Sequence, residues 1–181
     1  MSLADGVAAL DPPNWLIAAL RSDQAGETGA VEIYKGVLAV SRDEGVRAFA
    51  ERHQATEARH LAVIERWLPT ERSTRLLGLW RVMGWLTGAI PALLGPKVVY
   101  ATIDAVETFV DKHYQDQIDR LEGDPAWAAL RADLIACQAD ELEHRDEARA
   151  ASDAKTGPLL SLWCALVGFG SAQAVKVAEA I

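Results

Sequence analysis

Hydrophobic positions recur along the chain at the three-to-four-residue spacing of amphipathic helices, and the strict alternation typical of β-strands is almost absent. Prolines, glycines and short polar turns divide the pattern into four long segments. The predicted helices span residues 14–40, 44–67, 96–122 and 125–154. Asn14 follows Pro12-Pro13 and is the predicted cap of the first helix, while Pro125 behind Asp124 opens the fourth. We therefore expect an all-α protein built on a four-helix bundle.

Two further segments are apolar along their whole length. Residues 76–95 carry one charge, Arg81, and residues 156–175 carry none. Each segment is long enough to cross a bilayer. The first contains Gly78, Gly84, Gly88 and Pro91, so we predict that both form shorter helices in a membrane interface or a hydrophobic groove. Two buried core helices are the alternative, and a membrane span is the least favoured interpretation.

Composition indicates one acidic globular domain. The 181 residues include 18 Lys+Arg and 26 Asp+Glu, which gives a net charge of −8, and half of the residues are hydrophobic. We predict a single domain over 1–181, with an apolar membrane-facing insert at about 74–95 and a C-terminal apolar helix at about 158–178. The acidic balance, without a basic cluster, excludes a nucleic-acid partner.

Cysteine usage and the N-terminal residues indicate the compartment. Cys137 and Cys164 have the spacing of neither a zinc site nor a disulfide framework. Residues 1–20 lack the basic start and the cleavage site of a secretory signal. A reducing, cytoplasmic setting is therefore expected.

An internal repeat carries the candidate chemistry. The second predicted helix contains Glu57-Ala-Arg-His60, and the fourth contains Glu141-Leu-Glu-His144. The Glu-x-x-His spacing places a carboxylate and an imidazole on one face of a helix. One such motif is more often a solvated surface, but two copies, each with a glutamate on the preceding helix, favour a metal site.

The upstream glutamates are Glu27, 30 residues before Glu57, and Glu107, 34 residues before Glu141. Antiparallel helices bring these positions to one height, and burying four carboxylates without cations would be strongly unfavourable. We predict two divalent metals, iron or manganese, because both accept carboxylate and imidazole ligands. Glu57 and Glu141 are the predicted bridges, and one further glutamate and one histidine complete each metal. The predicted ligands are Glu27, Glu57, His60, Glu107, Glu141 and His144.

Neighbouring residues are candidates for supporting this site. Asp140 directly precedes Glu141 and is predicted to hydrogen-bond a ligating histidine of the facing helix. His113 and Tyr114 lie about two turns beyond the glutamate of the third helix and are predicted to line the same cavity, with packing or surface positions as the alternative. Glu143, two residues beyond Glu141, is predicted to face solvent.

These motifs together resemble the demethoxyubiquinone hydroxylase family, over residues 16–181. The motifs are Asp23-Gln-Ala-Gly-Glu27-Thr-Gly-Ala, Glu57-x-x-His60, Ala105-Val-Glu107 with His113-Tyr-x-x-Gln117-Ile, and Asp140-Glu-Leu-Glu-His144-Arg-Asp146. The first is specific to that family, whereas a bare Glu-x-x-His pair is shared with ferritins. The family usually has histidine where this chain has Gln24, a position that is not a ligand.

The resemblance implies a ferritin-like di-iron monooxygenase of ubiquinone biosynthesis, which hydroxylates the ring of a demethoxyubiquinol. It further implies that the six predicted ligands hold two iron ions, and that the enzyme uses O2 and an external reductant such as NAD(P)H. A ferritin-like protein that oxidises or stores iron is the alternative, and a non-enzymatic quinone-binding subunit is a third reading.

The implied substrate is a polyprenyl quinol, so we expect a peripheral protein on the cytoplasmic side of the cell membrane. The two apolar segments would form the docking face, with tryptophans at its rim, and would bind by apolar contact because the net charge is −8. An interface with a second copy is the alternative use, alone or together with membrane docking, and a lipid-presenting protein is a further candidate partner. The docking residues are Leu76, Leu79, Trp80, Met83, Trp85, Leu86, Leu159, Leu160, Trp163 and Leu166.

Overall fold

The computed structural model describes residues 12–152 and 157–180, and these residues form helices joined by short turns. The six α-helices of this part of the chain are α1 (Asn14–Val40), α2 (Glu44–Trp67), α3 (Leu77–Leu94), α4 (Pro96–Arg120), α5 (Ala128–Ser152) and α6 (Pro158–Ala180). Single 3-10 turns lie at Thr70–Arg72 and Pro125–Trp127. The predicted all-α class is confirmed, while most of the segment examined for a secretory signal, residues 1–11, lies outside the described residues.

Two predicted helix starts needed correction. Pro13, not Asn14, occupies the N-cap position of α1, and Asn14 is the first helical residue. The Asp124 side chain accepts a hydrogen bond from the Ala126 amide at 2.9 Å, as expected of a cap. The turn that follows is a 3-10 turn, so the α-helix begins at Ala128, three residues later than predicted.

Four helices form the bundle. The short turns at 41–43 and 121–127 pair α1 with α2 and α4 with α5, and α2 meets α5 across the bundle. Two apolar clusters fill it at different heights. One contains Leu20, Ile64, Tyr114 and Leu134, and the other contains Ile33, Ala50, Val106 and Ala148. The residues between these heights on each helix are the ones that carry the predicted metal ligands.

The two apolar helices lie outside the bundle, and both pack against α1 and α4. α3 has 18 residues, two fewer than the apolar segment at 76–95, and α6 has 23 residues. The glycines of α3 do not break the helix. They allow its backbone to approach α1: a Cβ on Gly84 would lie 3.0 Å from the Gly29 carbonyl carbon, and one on Gly88 would lie 2.7 Å from that of Ile33. Pro91 is buried inside α3.

Both apolar helices are long and hydrophobic enough to cross a membrane, by length and composition only. They are not buried core helices, because the most hydrophobic window is 22% buried in α3 and 0% buried in α6. The large apolar side chains that they expose include Leu79, Val82, Met83, Trp85, Leu86, Ile90, Leu93, Leu94, Leu159, Leu162, Leu166 and Phe169. Trp80 and Trp163, predicted at the rim, are instead half-buried and line an internal cavity.

Candidate metal centre

Six acidic and histidine side chains from four helices meet between the two apolar clusters. They are Glu27 of α1, Glu57 and His60 of α2, Glu107 of α4, and Glu141 and His144 of α5, and each is at most 4% exposed. Potential ligand atoms form two groups, and within each group the atoms lie within 4.8 Å of one another. The groups are Glu27, Glu57, His60, Glu141 and Glu57, Glu107, Glu141, His144. Glu57 and Glu141 belong to both, which is the arrangement of two carboxylates between two cations.

The first group is organised around His60. Its Nδ1 lies 2.9 Å from Oε1 of Glu141, 3.7 Å from Oε2 of Glu57 and 3.8 Å from Oε2 of Glu27. The other ring nitrogen, Nε2, donates to Asp140 Oδ2 at 3.0 Å. The imidazole therefore turns one nitrogen to the carboxylates and is held from behind by an outer carboxylate, which fixes the ring orientation.

The second group is organised around His144. Its Nδ1 lies 3.0 Å from Oε1 of Glu57 and 3.3 Å from Oε2 of Glu141. The two histidine rings are nearly parallel, with centroids 6.3 Å apart and an interplanar angle of 21°. The Glu-x-x-His repeat thus presents one ring nitrogen from each side to the same pair of carboxylates.

Unsatisfied polar atoms indicate that this cluster is built for cations. Both oxygens of Glu57, Oε2 of Glu27, Oε2 of Glu141 and Nδ1 of His144 are buried without a hydrogen-bond partner among the residues described here. The distance from His144 to Glu57 suits an ion pair, but the angles are not those of a hydrogen bond. Buried polar groups in native proteins are normally paired, so this many converging lone pairs fits the coordination of metal ions.

The electrostatics of the cluster support the same interpretation. Burial, with the negative charges of Glu141 and Glu57, raises the pKa of both Glu27 and Glu107 well above its usual value. Burial acts to lower the pKa of His144, but Glu141 and Glu57 outweigh it and raise that pKa to about 9. Without metal, protons therefore supply the positive charge that four adjacent carboxylates require.

Glu57 has the opposite shift. Burial acts to raise its pKa, but the adjacent imidazoles of His144 and His60 outweigh this effect and hold the pKa at about 2. Because Glu57 keeps its charge at the centre of the cluster, it is suited to contact two cations at once.

A buried hydrogen-bond network connects α4 to α1 beside the cluster. The Tyr114 hydroxyl donates to Oε1 of Glu27. His113 Nε2 donates to Asp23 Oδ1 at 2.9 Å, and Gln117 Nε2 donates to the same oxygen at 2.7 Å. Both His113 and Tyr114 line the cavity described below. Asp23 received no role from the sequence, although it lies four residues before Glu27 on the same helix face.

His53 and Glu147 also lie beside the cluster, and neither was predicted from the sequence. His53 of α2 is 5% exposed, and its ring centroid lies 4.0 Å from that of His144. Its Nε2 lies 2.8 Å from Glu147 Oε2 on α5. The available signal was again helical spacing, since His53 precedes Glu57 by four residues.

Glu143, two residues from Glu141 on α5, is exposed to solvent, as predicted.

A cavity of about 360 Å³ reaches the cluster from the side of α3 and α6. All four glutamates contribute to its lining, and the rest of the surface is mainly apolar. On α1 the lining residues Ala25, Gly26, Gly29 and Ala30 are small, which leaves room for an occupant. The outer lining comes from Trp80, Met83, Thr87, Trp163, Leu166, Val167 and Ala174.

Comparison with known proteins relates this site to one family. Residues 14–178 match the family model described as Ubiquinone biosynthesis protein COQ7. The chain belongs to the COQ7 family. A COQ7 relative from Rhodospirillum rubrum, named 3-demethoxyubiquinol 3-hydroxylase, is 39% identical over 165 residues, which cover 90% of this chain and 76% of that protein.

Two eukaryotic relatives share the name NADPH-dependent 3-demethoxyubiquinone 3-hydroxylase, mitochondrial. The Homo sapiens protein is 34% identical over 164 residues, which cover 88% of this chain and 75% of that protein. The Dictyostelium discoideum protein is 33% identical over 161 residues, which cover 86% of this chain and 73% of that protein. Membership of the COQ7 family confirms the resemblance predicted from the motifs and accounts for the ferritin-like bundle with its buried acidic and histidine cluster.

Proposed function

We propose that this protein is a metal-dependent 3-demethoxyubiquinol 3-hydroxylase of ubiquinone biosynthesis. The observation that carries the proposal is the position of the carboxylate–histidine cluster at the inner end of an apolar cavity, in a chain of the COQ7 family. An aromatic quinol ring with an isoprenoid tail is an apolar ligand with a few polar oxygens, and the cavity lining has the same character.

The metal would be a pair of iron ions. Glu57 and Glu141 would contribute to both metal sites. Glu27 and His60 would complete the first site, and Glu107 and His144 the second. Two iron ions bound there would supply the activation of O2. The buried, unpaired carboxylate oxygens support this assignment, because they leave donor positions for both ions.

The protein's own part is to orient the substrate and exclude water. One atom of O2 enters a ring C–H bond, and the other leaves as water after accepting two electrons and two protons. The apolar walls of the cavity keep bulk water from the reacting carbon. The Tyr114 hydroxyl fixes Glu27, and the His113–Asp23 pair holds a polar edge in the same wall. The electrons come from outside, since the sequence has no Gly-x-Gly-x-x-Gly dinucleotide fingerprint, and NAD(P)H is the proposed source.

The exposed apolar faces of α3 and α6 would dock on a membrane surface. A polyprenyl quinol partitions into the bilayer, and these two helices contribute the outer lining of the cavity. Their exposed leucines would insert at the interface, which opens the cavity toward the lipid. We further propose that residues 1–181 act as one domain, with the apolar insert at about 74–95 and the C-terminal helix at about 158–178 as its membrane-facing parts. The cytoplasmic side of the membrane stays a prediction from the sequence.

The test is aerobic turnover of a short-tailed demethoxyubiquinol under labelled O2, followed by mass spectrometry. The iron-loaded protein with NADPH, or with a chemical reductant, should add one labelled oxygen atom to the quinol. Glu57→Ala should lose this product, whereas Glu143→Ala, a change at an exposed position of α5, should retain it. Loading with manganese instead of iron should give no product if iron is the working metal.

The same experiment separates the hydroxylase from a ferritin-like iron oxidase. Consumption of O2 with oxidation of added iron(II), but without oxygenated quinol, would contradict the proposed function and support iron storage. Equal product from Glu57→Ala and the wild type would contradict the assignment of Glu57. The apolar character of the cavity favours the hydroxylase, since an iron store needs a polar inner surface.

A further inference from the structure

A third histidine, His53, is in contact with the cluster without belonging to it. It lies on α2, four residues before Glu57, and its ring meets that of His144 edge-on, with an interplanar angle of 70°. The His53 Nε2–Glu147 Oε2 pair, at 2.8 Å, joins α2 to α5 one turn beyond His144. Arg52 forms an ion pair with the other oxygen of Glu147. His53 is therefore fixed by the same helix that carries the ring it contacts.

Two aromatic side chains also lie close to His53. The Phe49 ring lies 4.2 Å from it, centroid to centroid, and the Tyr34 ring lies 6.0 Å from it. Both residues belong to the apolar cluster on that side of the site, and His53 itself is only 5% exposed. The bond to Glu147 and the contact with Phe49 restrain the His53 ring, which lies against the ring of His144.

The internal repeat indicates why His144 needs a neighbour that fixes its ring. His60 is held from behind by Asp140, the residue directly before Glu141. The matching position before Glu57 is Thr56, which has no carboxylate and whose hydroxyl accepts a hydrogen bond from a neighbouring arginine of α2. The carboxylate that orients His60 is therefore not repeated at the matching position, which would face His144.

We propose that His53, held by Glu147, is a positioning residue that fixes the imidazole of His144, as Asp140 fixes that of His60. The inference rests on the proposed metal centre, because it concerns how one of its ligands is oriented. In the other half of the repeat the position of His53 is taken by Cys137, which is buried and forms no ion pair with the residues that the structure describes. The two metal sites therefore have different outer surroundings, and changes to them should affect one site at a time.

The experiment is an anaerobic titration of the metal-free protein with cobalt(II), followed by its visible absorption. We expect two bound ions in the wild type. His53→Ala should weaken one site by about 10- to 100-fold and change its absorption band, with the other site unchanged, and Glu147→Gln should do the same to a smaller extent. In a His60→Ala background, His53→Ala should weaken the remaining ion, but in a His144→Ala background it should have no further effect.

Circular dichroism and thermal melting of the metal-free variants separate positioning from folding. Glu143→Gln, an exposed change on α5, is the matched control for Glu147→Gln. If His53→Ala does not fold, Glu147→Gln still tests the proposal, because it leaves the buried ring in place. Wild-type affinity at both sites in the His53 and Glu147 variants, or equal loss at both, would overturn the positioning role. A wild type that binds fewer than two ions would instead overturn the proposed metal centre.

Discussion

Substitution of Gly88 by alanine tests whether α3 is held by its close approach to α1. A methyl group at this position would lie 2.7 Å from the Ile33 carbonyl carbon and 3.0 Å from the Val37 nitrogen, and closer still to the Ile33 carbonyl oxygen. An ordinary contact of 3.4 Å to that carbon requires a shift of about 0.7 Å, and the oxygen requires more. These are backbone atoms of a helix, which cannot rotate away as a flexible side chain can, so α3 itself has to move.

Overpacking of this kind typically destabilises a protein by about 1–3 kcal/mol, and contact with three backbone atoms places Gly88→Ala near the upper end. For a chain of this size, 2–3 kcal/mol corresponds to a fall in Tm of about 5–10 °C. Gly78→Ala is the matched control, since it lies on the same helix and its added Cβ would meet nothing within 4 Å. That change should be neutral or stabilise the protein by up to about 1 kcal/mol through helix propensity.

Thermal melting gives the stability difference, and hydrogen exchange locates it. Faster amide exchange is expected in α3 and in the facing part of α1, with the metal-binding residues unaffected. If α3 detaches before the bundle unfolds, exchange will rise with little change in Tm, which still locates the strain at this contact. Wild-type exchange in α3, together with a Tm equal to that of Gly78→Ala, would refute the argument from close packing.

Three other predictions test different parts of the molecule. Burial acts to lower the pKa of His113, but its hydrogen bond to Asp23 outweighs burial and raises it. This contact, of about 1.5–3 kcal/mol, is therefore complete below the unfolded-state pKa near 6.5 and weakens as the pH rises through the folded pKa. In urea denaturation, His113→Gln should differ more from the wild type at pH 6 than at pH 9, and a pH-independent difference would contradict the ion pair. Chelation should lower the Tm of metal-loaded wild type by several degrees, since metal at 100 times its Kd adds about 2.7 kcal/mol. In Glu107→Ala the calorimetric shift should be smaller, and equal shifts would contradict its role as a ligand. Leu93→Ser should weaken sedimentation with neutral lipid vesicles by about tenfold, because this side chain is 73% exposed on α3. Ile135→Ser, which is 41% exposed on α5, should not, and equal effects would contradict docking through α3.

Features encoded over short stretches of sequence were predicted well. The ends of α1 and α2 fall at the predicted residues, because prolines and the polar turn at 41–43 interrupt an otherwise continuous helical pattern. The six clustered side chains were identified for a similar reason. The Glu-x-x-His spacing is a local property of one helix. The motif occurs twice, each time after a helix with a glutamate at a similar distance upstream, and this spacing predicts that the four helices meet at one height.

Contacts between distant residues were predicted only where the repeated motif pointed to them, as for Asp140 and His60. His53 and Glu147 are 94 residues apart, and Asp23 and His113 are 90 apart, so neither pair has a local pattern. The glycines of α3 were predicted to shorten the helix because intrinsic propensity disfavours them there. Only the position of α1 shows that Gly84 and Gly88 are the contact surface. In α3, therefore, glycines that disfavour a helix by intrinsic propensity stabilise its packing against α1.

The glycines of α1 have a different role from those of α3. A Cβ on Gly26 or Gly29 would meet nothing within 4 Å, so packing does not require glycine at either position. Both residues instead line the cavity that leads to Glu27, and a side chain there would occupy that space. At the same time the Gly29 carbonyl lies directly against Gly84 of α3, and both glycines line the cavity. One short stretch of α1 therefore supplies a candidate metal ligand, the cavity space beside it and the contact surface for α3. These three roles explain why its small residues and its glutamate occur together.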